Sequence, residues 1–575
     1  MMKVFTLTLL LIGLLIAPLS SVDTHTDSTR IQVIIQSDTI HDLSSYVIEQ
    51  GGKINLSLDI INAISVSVPN TVYQAMKQNP ALKLYSEERS FQISNNSDED
   101  DSDEEYQVRS AESDFVNLSN TNLLHEQGIT GRGVTVAFID TGIETFNKIL
   151  KDTSGRERVL AHYNAITDVE KTSNFKSSDK NGHGTHLTSI VANKKIDLNG
   201  GNKGVAPDVD LVIVKAFNKD GEGQFVHILR ALDWIANNQE KYSIDVLNLS
   251  FSAPPNSFYW NDLINQAVMK LWKAGIVVVA SAGNLGPNPM TIGVPGNLPY
   301  IITVGAMTDN YTPDDSSDDR MTTFSASGPT LEGFVKPDLV APGGHITSLM
   351  SKKSVLAEAH PEFHVDGRYF TMSGTSQATA VVSGIAALIL SMDNGLTPDQ
   401  VKCRLKSTAK LATDGNGNLL YTIFAQGAGL VDARDAVYGS NNDCANRGLD
   451  IESDLAGTQH YMGLARVDTE GRYYMQSPDG IMWNDGIMWN DGIMWNDGIM
   501  WNDGIMWNDG IMWNDGIMWN DGIMWNDGIM WNDGIMWNDG IMWNDGIMWN
   551  DGIMWNDGIM WNDSVLGTAN WVDQQ

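Results

Sequence analysis

Apolar and polar positions change rhythm along this chain, and each rhythm predicts a different element. Residues 4–17 are almost continuously apolar, behind Lys3 and ahead of Pro18 and a pair of serines. This predicts an export signal over residues 1–21, because the run is shorter than the roughly 20 apolar residues that a membrane anchor needs. Further on, IQVIIQ (31–36) reads as a strand and AISVSV (63–68) alternates with period two. Weaker helical stretches follow them at 43–50 and 70–79, which predicts a small α+β unit within 22–97. The run DEDDSDEE (98–105) opens a solvated acidic linker over 98–113, a natural place for proteolysis.

From about residue 132 the strand-like runs become apolar on both faces: 134–140, 211–215, 244–251, 276–284 and 300–306. Strands of that kind belong in a buried parallel sheet. Helical stretches lie between them. One, at 225–239, gathers Ile228, Leu229, Leu232 and Ile235 on one side, and another is capped by Asn261 and stopped by Gly275. The alternation predicts an α/β fold over 114–447, a doubly wound, mostly parallel sheet with helices on both faces.

In such folds ligands sit beyond the carboxyl ends of the strands. Asp140 ends one strand in Asp-Thr-Gly, and Asn284 ends another in Ser-Ala-Gly-Asn. His183 stands in Asn-Gly-His-Gly-Thr-His, ahead of an apolar run, and Ser376 in Ser-Gly-Thr-Ser opens a long stretch of small apolar residues. Each has an ordinary reading. Ser376 fits a serine N-cap, and His183 with His186 fits a metal pair one helical turn apart. Asp-Thr-Gly also occurs in aspartic proteases, but those need a second such carboxylate, and this chain has no second motif.

The order Asp140, His183, Ser376 and its surroundings (AFIDTGIE, NGHGTHLTSIVA, GVAPDVDLVIVKAF, DGEGQ, LNLSFSAP, VVVASAGN and SGTSQATAVVSG) resemble the subtilisin-like serine proteases over residues 120–440. That chain order is itself a standard example of the triad. The resemblance implies that Ser376 is the nucleophile, His183 the general base and Asp140 its orienting partner, with Asn284 donating to the oxyanion. It implies an extended peptide substrate between Gly221–Gly223 and Ser250, Phe251 and Ser252. It also implies that the 22–97 unit is an inhibitory propeptide, removed by cleavage between about 106 and 114. Ser252 and Ala253 replace the family's usual glycines, which predicts a tighter pocket wall. Leu285 stands where some relatives carry an acid, which predicts apolar rather than basic residues before the cut. No cofactor is required for the chemistry. The family's strong calcium site loses a ligand at Ile149, leaving the acidic loop 309–319 as the place for a structural calcium ion.

The net charge is −34, and no basic patch stands out, which excludes nucleic acid as a partner. In an exported protein, Cys403 and Cys444 are expected to form a disulfide rather than remain free thiols. Beyond a linker at 448–479, residues 480–563 are fourteen identical copies of Gly-Ile-Met-Trp-Asn-Asp, followed by a tail at 564–575. Strand-forming Ile-Met-Trp and turn-forming Asn-Asp-Gly suit stacked strands, and a flexible tether is the alternative. These features predict a secreted, self-processed endopeptidase whose partners are peptide substrates, its own propeptide and a cell surface or polysaccharide met by the repeats. The competing reading is an adhesion protein with a vestigial protease domain.

Overall fold

A computed structural model of the chain describes residues 30–37, 40–79, 82–86, 114–173, 175–195, 203–313, 315–414, 417–468, 471–476, 482–483 and 566–568. The expected signal, the acidic linker and all but two residues of the repeats lie outside the described residues.

The first unit is a four-stranded antiparallel sheet in the order β2 (Lys53–Leu58), β3 (Ala63–Pro69), β1 (Arg30–Gln36), β4 (Lys83–Ser86). Helices Ile40–Glu49 and Asn70–Lys77 complete it. The sequence reading missed β2 and β4. β2 alternates exposed and half-buried residues up to Leu58, and β4 is only four residues long with Leu84 and Tyr85 half-buried, so neither carries the apolar run of a buried strand. The unit has its own core of Val33, Ile35, Leu43, Val47, Ile64, Val66, Val68 and Met76. Leu58, Ile60 and Ile61 instead join the core of the main domain, where each buried side chain contributes about 2 kcal/mol. Two polar contacts fix the docking: Ile60 N–H donates to Asp233 (2.8 Å) and Gln36 to Gln266 (2.7 Å).

The main domain is built on a mixed sheet whose central strands are parallel. The order is β14 (Arg320–Met321), β13 (Ile302–Thr308), β12 (Val277–Ser281), β10 (Ile244–Leu249), β5 (Thr135–Asp140), β8 (Asp210–Lys215), β6 (Val159–Asn164), β7 (Val169–Lys171). Only β14 and β7, at the ends of that order, run antiparallel, and β15 (Leu339–Pro342) adds a parallel strand beside β13. β5, β12 and β13 are buried at every residue, so the sheet is covered on both faces. Helices Phe225–Tyr242 and Leu263–Lys273 pack together, and so do His183–Ala192 and Thr375–Met392. The last of these is apolar enough to cross a membrane by length and composition, yet it is buried inside the domain.

One helix start differs from expectation. Asn261 closes a short 3-10 turn, and it is Asp262 whose carboxylate accepts the N–H groups of Ile264 and Asn265. The aspartate one residue later has the extended backbone a cap requires. The strand expected at 244–251 also breaks at Ser250, and Phe251–Ser252 forms a separate two-residue strand, β11, matched across a gap by β9 (Glu222–Gly223).

Smaller sheets surround this frame. β16 (Ile346–Leu349), β17 (His364–Asp366) and β18 (Tyr369–Met372) form an antiparallel group leading into the Ser376 helix. β19 (Ala465–Val467), β20 (Tyr473–Gln476) and β21 (Met482–Trp483) form another, the last strand coming from the first repeat copy. β22 (Leu566–Thr568) lies between β11 and β9, antiparallel to both. Cys403 and Cys444 are joined by a disulfide that ties the Pro398–Thr408 helix to the segment after Tyr438.

Candidate active site

β5 is where the strand order turns back: β8 and β6 lie on one side of it, β10 and β12 on the other. A crevice opens at such a point, at the carboxyl ends of the strands, and Asp140 is the last residue of β5. Its carboxylate is buried and accepts the Thr141 N–H at 2.7 Å. It also meets His183 Nδ1 at 2.9 and 3.0 Å through its two oxygens. A carboxylate can only accept, so Nδ1 carries the proton and Nε2 is left as the basic nitrogen. Nε2 is buried and has no hydrogen-bond partner.

His183 is the first residue of its helix, and its position is set by a residue that the sequence reading missed. Asp179 is buried, and its two oxygens accept the N–H groups of Asn181 (3.0 Å), Gly182 (2.8 Å) and Thr185 (2.9 Å) and the hydroxyls of Thr141 (2.9 Å) and Thr185 (2.6 Å). Asp179 thus closes the turn ahead of the helix and the Thr185 N–H. The His183 and Gly184 N–H groups go to the side chains of Asn181 (3.2 Å) and Thr141 (2.9 Å), and the Thr141 contacts tie the helix start to the end of β5. The signal in the sequence was an aspartate just ahead of a helix start. Gly184 permits the close approach: a Cβ there would press on the backbone of Gly142 and stand 3.0 Å from Asp140 Oδ1.

His186, one turn on, faces elsewhere. Its Nε2 donates to the Phe370 carbonyl at 3.0 Å, and burial pushes its pKa down to about 3. The two histidines therefore do not converge as a metal pair. In the acidic loop, Asp309 faces His345, Asp318 accepts from Thr312 and Asn310, and Asp315 accepts from the Ser317 N–H. Among the described residues no three His, Cys, Asp or Glu side chains are grouped to hold a metal ion.

Ser376 is the second residue of the Thr375–Met392 helix, and Gly374, not a serine, occupies the cap position. The ordinary N-cap reading therefore fails. Ser376 Oγ is buried and donates to the Ser250 carbonyl at 3.1 Å, while Ser250 Oγ donates to the Ser376 carbonyl at 3.1 Å. Behind them, Asn248 donates to Ser250 Oγ and Ser383 donates to Asn248, both at 2.9 Å. Asn248 and Ser383 were also missed; within apolar stretches they read as core positions. Ser376 Oγ is thus bonded to Ser250, and no hydrogen bond joins it to His183 Nε2.

Asn284 lies just beyond β12. Its Oδ1 accepts the Thr375 N–H (3.0 Å) and the Thr375 hydroxyl (2.8 Å). That fixes the amide so that Nδ2 lies beside Gly374, 3.4 Å from where a Cβ would stand. Lys215, at the end of β8, donates to the carbonyls of Thr141 (2.6 Å) and Phe217 (2.8 Å), and burial lowers its pKa.

The expected substrate walls stand as two short strands. Gly221 closes the turn that leads into β9, and Gly223 packs so closely on Phe217 that a Cβ would come within 2.6 Å of its ring. Phe251 is buried on the same ring, centroids 5.2 Å apart. Ser252 Oγ stands 2.8 Å from where a Cβ of Gly283 would lie, and its Cβ stands 2.9 Å from one on Gly293. The Ser252 side chain thus fills space that a glycine would leave open. Leu285 is 49% exposed at the rim. Between the walls lies β22, with Phe251 opposite Thr568, Ser252 opposite Gly567, Gly567 opposite Glu222 and Leu566 opposite Gly223.

Known proteins resemble this chain in sequence and fold. The family model Peptidase_S8, the subtilase family, matches residues 131–429. Serine protease AprX of Bacillus subtilis is 39% identical over 318 residues, 54% of this chain and 68% of that protein. Subtilisin E of the same organism is 30% identical over 392 residues, 68% of this chain and 84% of that protein. The crystal structure of fervidolysin from Fervidobacterium pennivorans, described as a keratinolytic enzyme related to subtilisin, matches with TM-score 0.54 and 21% identity. It covers 79% of this chain and 68% of its own, and supports the fold alone. With more than half of its length matched by the family model, and at these identities to named proteases, the chain belongs to the subtilase family and is a subtilisin-like serine protease.

Proposed function

We propose that the chain is an endopeptidase that cleaves peptide bonds through an acyl-enzyme formed on Ser376. The observation that carries this reading is His183: Asp140 fixes its Nδ1–H, and its buried Nε2 has no other partner. Nε2 takes the Ser376 proton as Oγ attacks the scissile carbonyl, then gives it to the leaving amine. Asp140 holds the tautomer and stabilises the imidazolium. The oxyanion is met by Asn284 Nδ2 and the Ser376 N–H, at the positive end of a buried helix. Water, activated by the same imidazole, releases the acid product and restores Ser376.

The pocket favours apolar residues before the cut, since Ser252 narrows it and Leu285 stands at its rim. The docked unit of residues 30–86 serves as propeptide: it packs on the main domain through Ile60 and Ile61 and is joined to it by a strongly acidic stretch of sequence. The apolar start of the sequence directs export, so the enzyme acts outside the cell. The Trp-rich repeats tether it to a surface or polysaccharide.

The test is fluorophosphonate labelling with peptide hydrolysis. The wild type should label on Ser376 and hydrolyse an apolar peptide; Ser376→Ala should do neither and should keep its first unit attached. A wild type that cannot be labelled, or normal maturation of purified Ser376→Ala, overturns the reading.

A further inference from the structure

One buried side chain beside Ser376 has no part in the acid–base chemistry. Gln377 is the third residue of the Thr375–Met392 helix and is fully buried. Neither its Oε1 nor its Nε2 has a hydrogen-bond partner among the described residues. Other buried amides are better matched. Gln426 uses both ends, accepting from the Ala412 N–H and donating to the Tyr421 carbonyl. Asn265 and Asn297 are bonded to each other and leave one atom each unmade. An amide buried with both ends unmade is destabilising.

The position of Gln377 gives that amide a use. Side chains on a helix lean back toward its N-terminus, and Gln377 reaches back to Gly374, the cap residue. The point where a Cβ of Gly374 would stand gathers three groups: Gln377 Oε1 at 2.6 Å, Asn284 Nδ2 at 3.4 Å and the Ser376 backbone nitrogen at 3.7 Å. The last two are the donors assigned to the oxyanion above. Glycine at 374 leaves that point open, and the Gln377 carboxamide borders it. Asn284 is fixed there, since its Oδ1 holds Thr375. Gln377 is free to turn: rotation about its last side-chain bond puts Nε2 where Oε1 stands and breaks no hydrogen bond.

We propose that Gln377 is a further catalytic residue, a third donor to the oxyanion that is recruited as the charge develops. When Ser376 Oγ adds to the scissile carbonyl, the carbonyl oxygen takes the electron pair of the double bond. Gln377 Nε2–H then donates to it beside Asn284 Nδ2 and the Ser376 N–H. No proton leaves Gln377, and the bond weakens again when the carbonyl re-forms. A donor that is unpaired in the free enzyme and paired only at the charged intermediate raises kcat rather than lowering KM. This role rests on the protease reading above.

The experiment is Gln377→Met in the full chain, which keeps the length of the side chain and removes the donor. On one apolar peptide kcat should fall about tenfold to a hundredfold with KM nearly unchanged, as for the loss of one hydrogen bond to a charged group. A peptide trifluoromethyl ketone, whose adduct on Ser376 carries the same oxyanion, should bind more weakly by the same factor. Tm should hold or rise, because an unmade amide has been replaced by an apolar chain. A Gln377 that serves the fold alone gives the reverse, a lower Tm with unchanged kcat. Gln377→Leu, read in the same way, serves if the methionine variant does not fold. Wild-type kcat in a folded variant overturns this inference alone, as does a fall in kcat without the matching loss of ketone affinity. Wild type that does not label with fluorophosphonate overturns both readings.

Discussion

Two helix starts face the same crevice, and they are finished in opposite ways. At His183 the free N–H groups are closed by the side chains of Asn181, Thr141 and the Asp179 carboxylate, and the helix start is locked to β5. At Ser376 the cap is a glycine with no side chain to offer, and the first N–H of the helix, that of Thr375, goes to the neutral amide of Asn284. The first start carries its own anion, so its electrostatic potential is spent on holding a base still. The second carries no anion of its own, and in the proposed mechanism it meets one only during the reaction. A helix start becomes a tool when its potential is left unneutralised, and that is tolerable only where neighbours such as Asn284 and Ser250 hold the backbone in place.

The comparison breaks most severely at the open end. Asn284→Ala should lower kcat by about 100- to 1000-fold, the range known for the corresponding donor in subtilisin itself, with KM nearly unchanged. Steady-state kinetics on one apolar peptide decides it, and an unchanged kcat removes Asn284 from the oxyanion site.

At the closed end the effect should be smaller and of another kind. Asp179→Ala unties the His183 helix without touching the reacting atoms. We expect kcat to fall about tenfold to a hundredfold, together with a lower Tm, as buried N–H groups lose their acceptor. Asp179→Asn keeps one of the two acceptor oxygens and should recover part of both. If Asp179→Ala kept full activity at temperatures where it is folded, the positioning role would be wrong.

The third test separates His183 from His186. His186 is held neutral, its pKa lowered by burial from 6.5 to about 3. Between those values the unfolded chain binds a proton that the folded chain refuses. Stability is therefore intact above pH 6.5 and falls as the pH drops toward 3, by about 1.4 kcal/mol per pH unit where the slope is steepest. His186→Gln keeps a donor for Phe370 and should flatten the acid side of a Tm-versus-pH curve. His162 and His227, lowered to about 4 mainly by burial, supply slope of the same sign that remains. An unchanged curve would show that His186 is protonated in the fold.

The smallest effect should come from the pocket wall. Ser252→Gly opens space beside Gly283 and Gly293, so kcat/KM for large apolar residues before the cut should rise about tenfold relative to alanine. A matched peptide series reads the ratio, and no change in it would place the pocket elsewhere.

The α/β frame was legible because its strands are apolar on both faces and its helices are amphipathic. Those signals come from burial and do not depend on partners far away in sequence. The residues of Asp-Thr-Gly and Asn-Gly-His-Gly-Thr-His were legible because short motifs fix local backbone. Asp179, Asn248 and Ser383 were not, because their work is done across elements: Ser383 meets Asn248 from another part of the chain. β2 and β4 were hidden by their partial exposure, and the partner of β9 and β11 by distance, since Leu566 joins a strand more than three hundred residues earlier. Hydrophobic rhythm reports which residues leave water and is silent on which polar groups meet.

Gly184 sets a dimension. The hydrogen bond between Asp140 and His183 is short because the residue after the histidine has no side chain, letting the helix start settle onto the end of β5. Alanine at 184 would act as a shim one carbon thick, lifting the helix off the strand and opening the acid–base pair by roughly that thickness. Directed evolution of this scaffold therefore has an asymmetric freedom. A half-exposed position such as Leu285 can be enlarged without moving the backbone, while at Gly184 the smallest possible enlargement is already a change of gauge.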